Sequence, residues 1–145
     1  MEQLEVKETN QISSAQIRAE ISNLETEMKA NPSAISTIDV MHHYTNGVYA
    51  RTVLMKAGDL IVGKIHKHEH LVIVSAGRAR VVSEEFGAKE IVAPSVFKSP
   101  PGVKRALLIL EDMIWTTIHK NEFNIQDMAV LEDELIAKDY SEVTV

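Results

Sequence analysis

Between residues 39 and 119 the chain is a succession of short β-branched and aliphatic runs broken by turn residues, and no other feature limits its fold as much. VYARTVLM, LIVGKI, LVIVSA, RARVVS, EIVA, RALLIL and MIWTTIH each have the length and composition of a strand. Ala57-Gly58-Asp59, Ala76-Gly77, Phe86-Gly87 and Pro100-Pro101-Gly102 separate them with the residues tight turns demand. The gaps are hairpin-sized and hold no helical stretch, which excludes βαβ units. The pattern predicts a mainly β domain, an antiparallel sandwich or barrel. Several runs are apolar on both faces. One face fills a barrel, and the other is expected to be covered by a helix or a second subunit.

Ile17, Ile21, Leu24 and Met28 recur at helical spacing, and Ser13 with Gln16 three residues on forms a capping box. They predict a helix from about residue 14 to 29 in a segment 14–31, after a flexible tail 1–13 and before the stop Asn31-Pro32. Its narrow stripe suits packing on the domain or pairing with a second copy. Beyond the barrel segment, 39–119, a segment 120–145 carries a short acidic helix over 127–138. Met128, Leu131 and Leu135 fall on one side of it, Asp127 caps it, and Glu132, Asp133 and Glu134 are read near its start, where the helix dipole favours anions.

At 145 residues the chain has the size of one domain with a real core. A net charge of -6 argues against a binder of nucleic-acid polymers or anionic membranes. There is no apolar run long enough to span a bilayer, and MEQLEVKETN lacks a basic-then-apolar leader, so a cytoplasmic setting is expected. The absence of cysteine excludes disulfides, thiolate metal sites and cysteine nucleophiles. No Ser-His-Asp system, phosphate loop or dinucleotide fingerprint is present.

In GKIHKHEHLVIVSAG, residues 63–77, His66, His68 and His70 occupy alternate positions, with Lys64 one step ahead on the same parity. The stretch from Gly58 through Gly77, followed by Pro94 through Arg105 with its Pro100-Pro101-Gly102 turn, resembles the two-part signature of the cupins. The resemblance covers roughly residues 40–119 and implies a small antiparallel jelly-roll barrel. GVYARTV, HKHEH, SPPGVKRA and WTTIH also resemble small cupin-like proteins of phage genomes, whose setting would be the host cytoplasm. Metal-binding cupins point His, His and Glu from the first part and a further His from the second into the barrel. Counted back from Gly77, the resemblance places the Glu position on His70, the second His on His66 and the first on Lys64. Counted on from Pro100 and Gly102, it places the last His on Arg105. Two ligand positions are imidazoles and two are cations.

That departure sets two readings against each other. Arginine does not lose its proton in a protein, and a cation about 4 Å from a unit charge interacts by ~4 kcal/mol at an effective dielectric of ~20, about double for a divalent ion. A metal, iron, zinc, manganese or nickel, therefore needs a third imidazole from His68 or His119. The complementary reading takes Lys64, His66, His70 and Arg105 as a cationic lining with no Asp or Glu at the matched inward positions. Such a lining calls for a small anionic ligand: a carboxylate, a phosphate or a nucleotide-like molecule. Arg51, at alternate spacing from Tyr49, adds a second fork, Tyr49 or Trp115 offers a ring for stacking, and His119 stands at a strand end on the rim. Each has a plainer alternative: solvent for Arg51 and Lys64, core filling for Trp115, turn-shaping for Pro100, Pro101 and Gly102. His42 and His43 adjoin each other, so at most one faces inward, and neither is assigned a role.

Three functional classes follow. The favoured one is a homo-oligomeric binding module without a cofactor that captures a small anion, with sequestration of a host signalling nucleotide as one use if the phage resemblance holds. The second is a metal-dependent oxygenase, isomerase or epimerase using His66, His70 and a third His, with a metal-free variant in which His66 or His70 is a general base and Arg105 holds the substrate. The third is a structural protein with a vestigial pocket.

Overall fold

A computed structural model of the chain describes residues 13–30 and 38–138, so the expected stop at Asn31-Pro32 and nearly all of the expected N-terminal tail lie outside the described residues. Helix α1 spans Ser14–Ala30. The strands are β1 (Asp39–Thr45), β2 (Gly47–Met55), β3 (Leu60–Val62), β4 (Ile65–His66), β5 (His70–Ser83), β6 (Gly87–Val92), β7 (Ser95–Ser99) and β8 (Arg105–Asn121). Helix α2 (Met128–Leu135) and a two-residue strand β9 (Ile136–Ala137) follow.

The long strands β5 and β8 pair with each other along their lengths and pass through both layers of the barrel. The second half of β8 lies between β2 and the first half of β5, with β1 and β7 at the edges. The first half of β8 lies between β3 and the second half of β5, with β6 outermost. Every pairing is antiparallel. Alternation sends Val72, Val74, Ala79 and Val81 of β5 and Leu107, Ile109, Met113 and Trp115 of β8 into one core.

The strand count from sequence changes accordingly. LVIVSA and RARVVS are one strand, and so are RALLIL and MIWTTIH. Gly77 does not close a strand: it sits in a bulge of β5, at φ +90°, where the register with β8 shifts. A Cβ there would stand 2.4 Å from the carbonyl oxygen of Asp112, so the residue must be glycine for both conformation and space. DVMHHYT and SVFKS, not among the expected runs, form edge strands β1 and β7.

Helix α1 opens with the reciprocal capping box: the Gln16 amide donates to Ser13 Oγ at 3.2 Å, and the Ser13 amide donates to Gln16 Oε1 at 2.9 Å. Ile17 and Ile21 bury against Ala106, with Leu24 and Val62 beside them, so the helix lies on its own barrel. Burial of two such side chains contributes about 1.5–3 kcal/mol each. Ion pairs Arg18–Glu84 and Lys104–Glu25 hold it there. In α2 the Asp127 carboxylate accepts from the Ala129 and Val130 amides at 3.0 and 3.4 Å. Glu132, Asp133 and Glu134 fall in the second turn of that helix, a correction to the expected start, because the cap at Asp127 lies five residues before the first of them and the first turn holds no acidic residue.

Candidate functional site

A cavity of about 390 Å³ opens inside the barrel, beneath α2. Its shape follows from strand parity. Tyr49, Arg51, Val53 and Met55 of β2 point inward together, as do Trp115, Thr117 and His119 of β8, and the registers pair Tyr49 with His119 and Arg51 with Thr117. Strand β4 supplies His66 and β5 opens with His70. From α2 come Met128, Leu131, Glu132 and Leu135. All the ligand candidates named from sequence, Tyr49, Arg51, Lys64, His66, His70, Arg105, Trp115 and His119, line this one space.

Three imidazoles meet on one wall. Ring centroids of His66 and His70 lie 4.3 Å apart, His70 and His119 4.7 Å, and His66 and His119 5.2 Å. Burial lowers the pKa of His70 to about 4 and that of His119 to about 3, and it holds His66 well below 6.5, with the neighbouring imidazoles and Arg105 adding to the effect. All three are neutral at pH 7. His70 Nδ1 donates to the His68 carbonyl at 3.3 Å, leaving Nε2 with its lone pair, and His119 Nε2 is 2.9 Å from Thr117 Oγ1. His119 stacks on Tyr49 at 5.8 Å, and the Tyr49 hydroxyl is 2.7 Å from His42 Nδ1. Burial pushes the Tyr49 phenol up.

The cations behave differently from one another. Arg105 is 6% exposed, and its Nη2 donates to Glu85 Oε1 at 2.6 Å and to Ser99 Oγ at 3.0 Å while Nε reaches the same Glu85 oxygen at 3.1 Å. Its guanidinium also lies over the Phe97 ring, 5.5 Å from the centroid. Lys64 is exposed and forms an ion pair with Glu132. Both are compensated within the chain, which overturns the expectation that they need an external anion. Arg51 is the exception: among the described residues it has no ion pair and no side-chain hydrogen bond. Its charge is felt by Tyr49, His66, His119 and Glu132, which places it among the polar groups of the cavity.

Three expectations are corrected. His68 is exposed on the bend between β4 and β5 and is not part of the cavity, because residues 67–69 are not extended. His119 takes the third place instead. Trp115 is 8% exposed, packs edge-on against Phe97 at 5.8 Å and belongs to the core, with one side on the cavity. Tyr49 is 2% exposed, stacked and hydrogen-bonded, so no ligand ring can lie on it. Sequence reasoning missed Glu85, Glu132 and His42. The first two act across 20 and 68 residues of chain, where no local pattern operates. His42 had a usable signal: a hairpin closing at Asn46-Gly47 sets it opposite Arg51, on the inward face.

A cupin metal would need three or four donors closing on one point. The chemistry of three neutral imidazoles suits one, but the positions do not: among the described residues no three His, Cys, Asp or Glu side chains are placed to hold an ion. The position matched to the fourth ligand is an ion-paired arginine. No helix among the described residues is long and apolar enough to cross a membrane.

No protein-family model matches the chain, and no curated protein matches it in sequence. Solved structures do match its shape. An uncharacterised conserved protein with a double-stranded β-helix domain from Klebsiella pneumoniae superposes with a TM-score of 0.51 at 14% identity, over 65% of this chain and 89% of that one. A putative ethanolamine utilization protein Q from Salmonella typhimurium gives 0.50 at 13% identity, over 63% and 72% of the two chains. A protein from Neisseria meningitidis gives 0.50 at 15% identity, over 65% and 96%. With two layers threaded by the long strands β5 and β8 and a cavity between them, the chain folds as a double-stranded β-helix, the jelly-roll barrel of the cupins.

Proposed function

We propose that this barrel captures a small anionic molecule, with Arg51 as the group that receives its charge. One observation carries the reading: a guanidinium faces a half-open cavity of small-molecule size with no ion pair and no side-chain hydrogen bond among the described residues, while Glu132, the carboxylate of the lining, is already bonded to Lys64. Unpaired charge in a partly desolvated site is costly, and a carboxylate or phosphate on Arg51 offsets that cost with two parallel hydrogen bonds. Capture rather than turnover is supported by the histidines. With pKa values of about 4 and about 3, His70 and His119 are poor general bases near neutrality, where an effective base titrates close to the working pH. Thermal-shift measurements with acetate, inorganic phosphate and AMP test the reading. At least one is expected to raise the melting temperature of the native protein and to lose that effect in Arg51→Gln. If none raises it, or Arg51→Gln responds equally, the reading fails.

A second reading rests on the imidazole cluster itself, whose donor chemistry is that of a transition-metal site. His66, His70 and His119 would be its ligands only after their rings turn to bring three nitrogens onto one point, since as placed they do not hold an ion, and the metal would then supply Lewis-acid or redox chemistry. Elemental analysis of protein purified without an affinity tag decides it. Near-stoichiometric iron, zinc, manganese or nickel, lost in His119→Ala, establishes the centre.

We also infer a homo-oligomer. The outer face of the layer containing β2 and β7 presents Leu54, Leu71, Ile73, Val96, Ile114 and Ile118, with no charge in its middle, and Val96 is 67% exposed. On a chain of net charge -6, this is where two like-charged copies meet with least repulsion. Light scattering is expected to give a dimer or higher for the native chain and a monomer for Val96→Lys with Leu71→Lys; a monomeric native chain refutes the inference.

A further inference from the structure

The balance of charge in the cavity names the ligand more narrowly than "anion". Arg51, Lys64 and Arg105 line it on the positive side. Glu85 takes up Arg105 and Glu132 takes up Lys64, each through a direct ion pair. The three imidazoles are packed ring against ring on one wall, and an imidazole is mostly uncharged at pH 7 even at its ordinary pKa. One positive charge is left, on Arg51. The rest of the wall is dominated by hydrocarbon: Val53, Met55 and Leu107 from the sheets, Leu131, Leu135 and Ile136 from the segment above. A ligand that satisfies this space carries one negative charge at one end and an apolar body along the remainder.

Glu132 sharpens the selection. Lys64 holds its carboxyl below the usual carboxylate range, so it is ionised at neutral pH, and Arg51 lies close enough to contribute to that lowering. A single carboxylate on Arg51 meets a fork whose two N–H groups match its two oxygens. A second negative charge on the same ligand has no free cation to meet and stands in the field of Glu132. Like charges at close quarters disfavour a dianion, and that excludes nucleotides and phosphate monoesters more strongly than monocarboxylates.

Resting on the anion-capture reading above, we propose that the ligand is a monocarboxylic acid with an apolar body, and that Glu132 is the residue that rejects dianions. The test is a matched series read by calorimetry on the full chain: octanoate and 3-phenylpropionate, their uncharged amides, the dicarboxylate suberate, octyl phosphate, and AMP. At least one monocarboxylate is expected to bind roughly 10- to 100-fold more tightly than its amide, the equivalent of one hydrogen bond to a charged group. Suberate, octyl phosphate and AMP are expected to bind more weakly than octanoate. Glu132→Gln removes the repelling charge and frees Lys64, so the octanoate-to-suberate ratio should fall by about tenfold while octanoate itself still binds. If suberate, octyl phosphate or AMP binds best, and Arg51→Gln abolishes that binding, the monocarboxylate class is wrong but capture at Arg51 stands. If no member binds, or Arg51→Gln leaves all affinities unchanged, capture at Arg51 falls as well. A ratio unchanged in Glu132→Gln, with circular dichroism showing intact fold, removes Glu132 from the selection.

Discussion

Two arginines line the same cavity and do opposite things. Arg105 is 6% exposed, gripped by Glu85 and Ser99 and laid over Phe97. Arg51 reaches into the cavity opposite Thr117, with neutral imidazoles and a phenol around it, Glu132 within its field and no direct ion pair among the described residues. One is built into the fold, and the other is the residue that the proposed capture of an anion would use. Charge type alone does not separate a structural cation from a binding one; the inventory of its partners does. The largest effect should therefore come from Arg105. Arg105→Met leaves Ser99 without its donor and Glu85 to turn to water, and losing hydrogen bonds to a charged group costs about 1.5–3 kcal/mol. Urea denaturation measures it. Arg51→Gln should stay within about 0.5 kcal/mol of the native chain, as is usual where no folded-state partner is lost. Equal losses in the two variants would erase the distinction.

The sequence carries this contrast only in part. The antiparallel barrel was legible because turn residues interrupt apolar runs at hairpin intervals, and the resemblance to cupins added the inward direction of His66, His70 and Arg105. The join of two runs into β5 was not legible. A bulge and a hairpin turn both ask for glycine at positive φ, and Gly77 reads the same either way until the Asp112 carbonyl is seen packed against it. The histidine triplet misled for a related reason. Period-two spacing puts His66, His68 and His70 on one face only if the chain is extended, and the bend at residues 67–69 turns His68 out. His119 replaces it through registry between β5 and β8, which pairs Leu71 with Ile118. Glu85 and Glu132 were invisible, since each pairing is made by tertiary packing alone.

Acid should separate the two ends of the cavity as well. His70 titrates at about 4 and His119 at about 3 in the folded chain, against about 6.5 when unfolded. Below about 6.5 the unfolded chain therefore binds protons that the folded chain refuses, and stability falls as pH falls. Each group removes about 1.4 kcal/mol per pH unit, continuing to about pH 4 for His70 and about pH 3 for His119. The Arg105 guanidinium stays charged throughout and adds nothing to this slope. Urea midpoints recorded between about pH 7 and 5 should fall steadily, and His119→Gln should flatten the fall. A slope unchanged in that variant would mean that the imidazole wall is more open to water than the ring packing implies.

The smallest effect belongs to the pair at the cavity mouth. Lys64 and Glu132 bond directly, but their side chains are 61% and 50% exposed, and such pairs contribute about 0.2–1 kcal/mol. Lys64→Met should lower stability by no more than that, and raised salt should narrow the difference. The helix α2 has firmer attachments than this ion pair: Leu131 at 1% exposure, the Asp127 cap, the Lys67 amide donating to the Leu135 carbonyl at 2.8 Å, and the β4–β9 ladder. A loss well above 1 kcal/mol in Lys64→Met would show that the mouth is clamped by charge rather than by packing. Lys64 would then resemble Arg105, a structural cation, and Arg51 alone among the three would be left to bind.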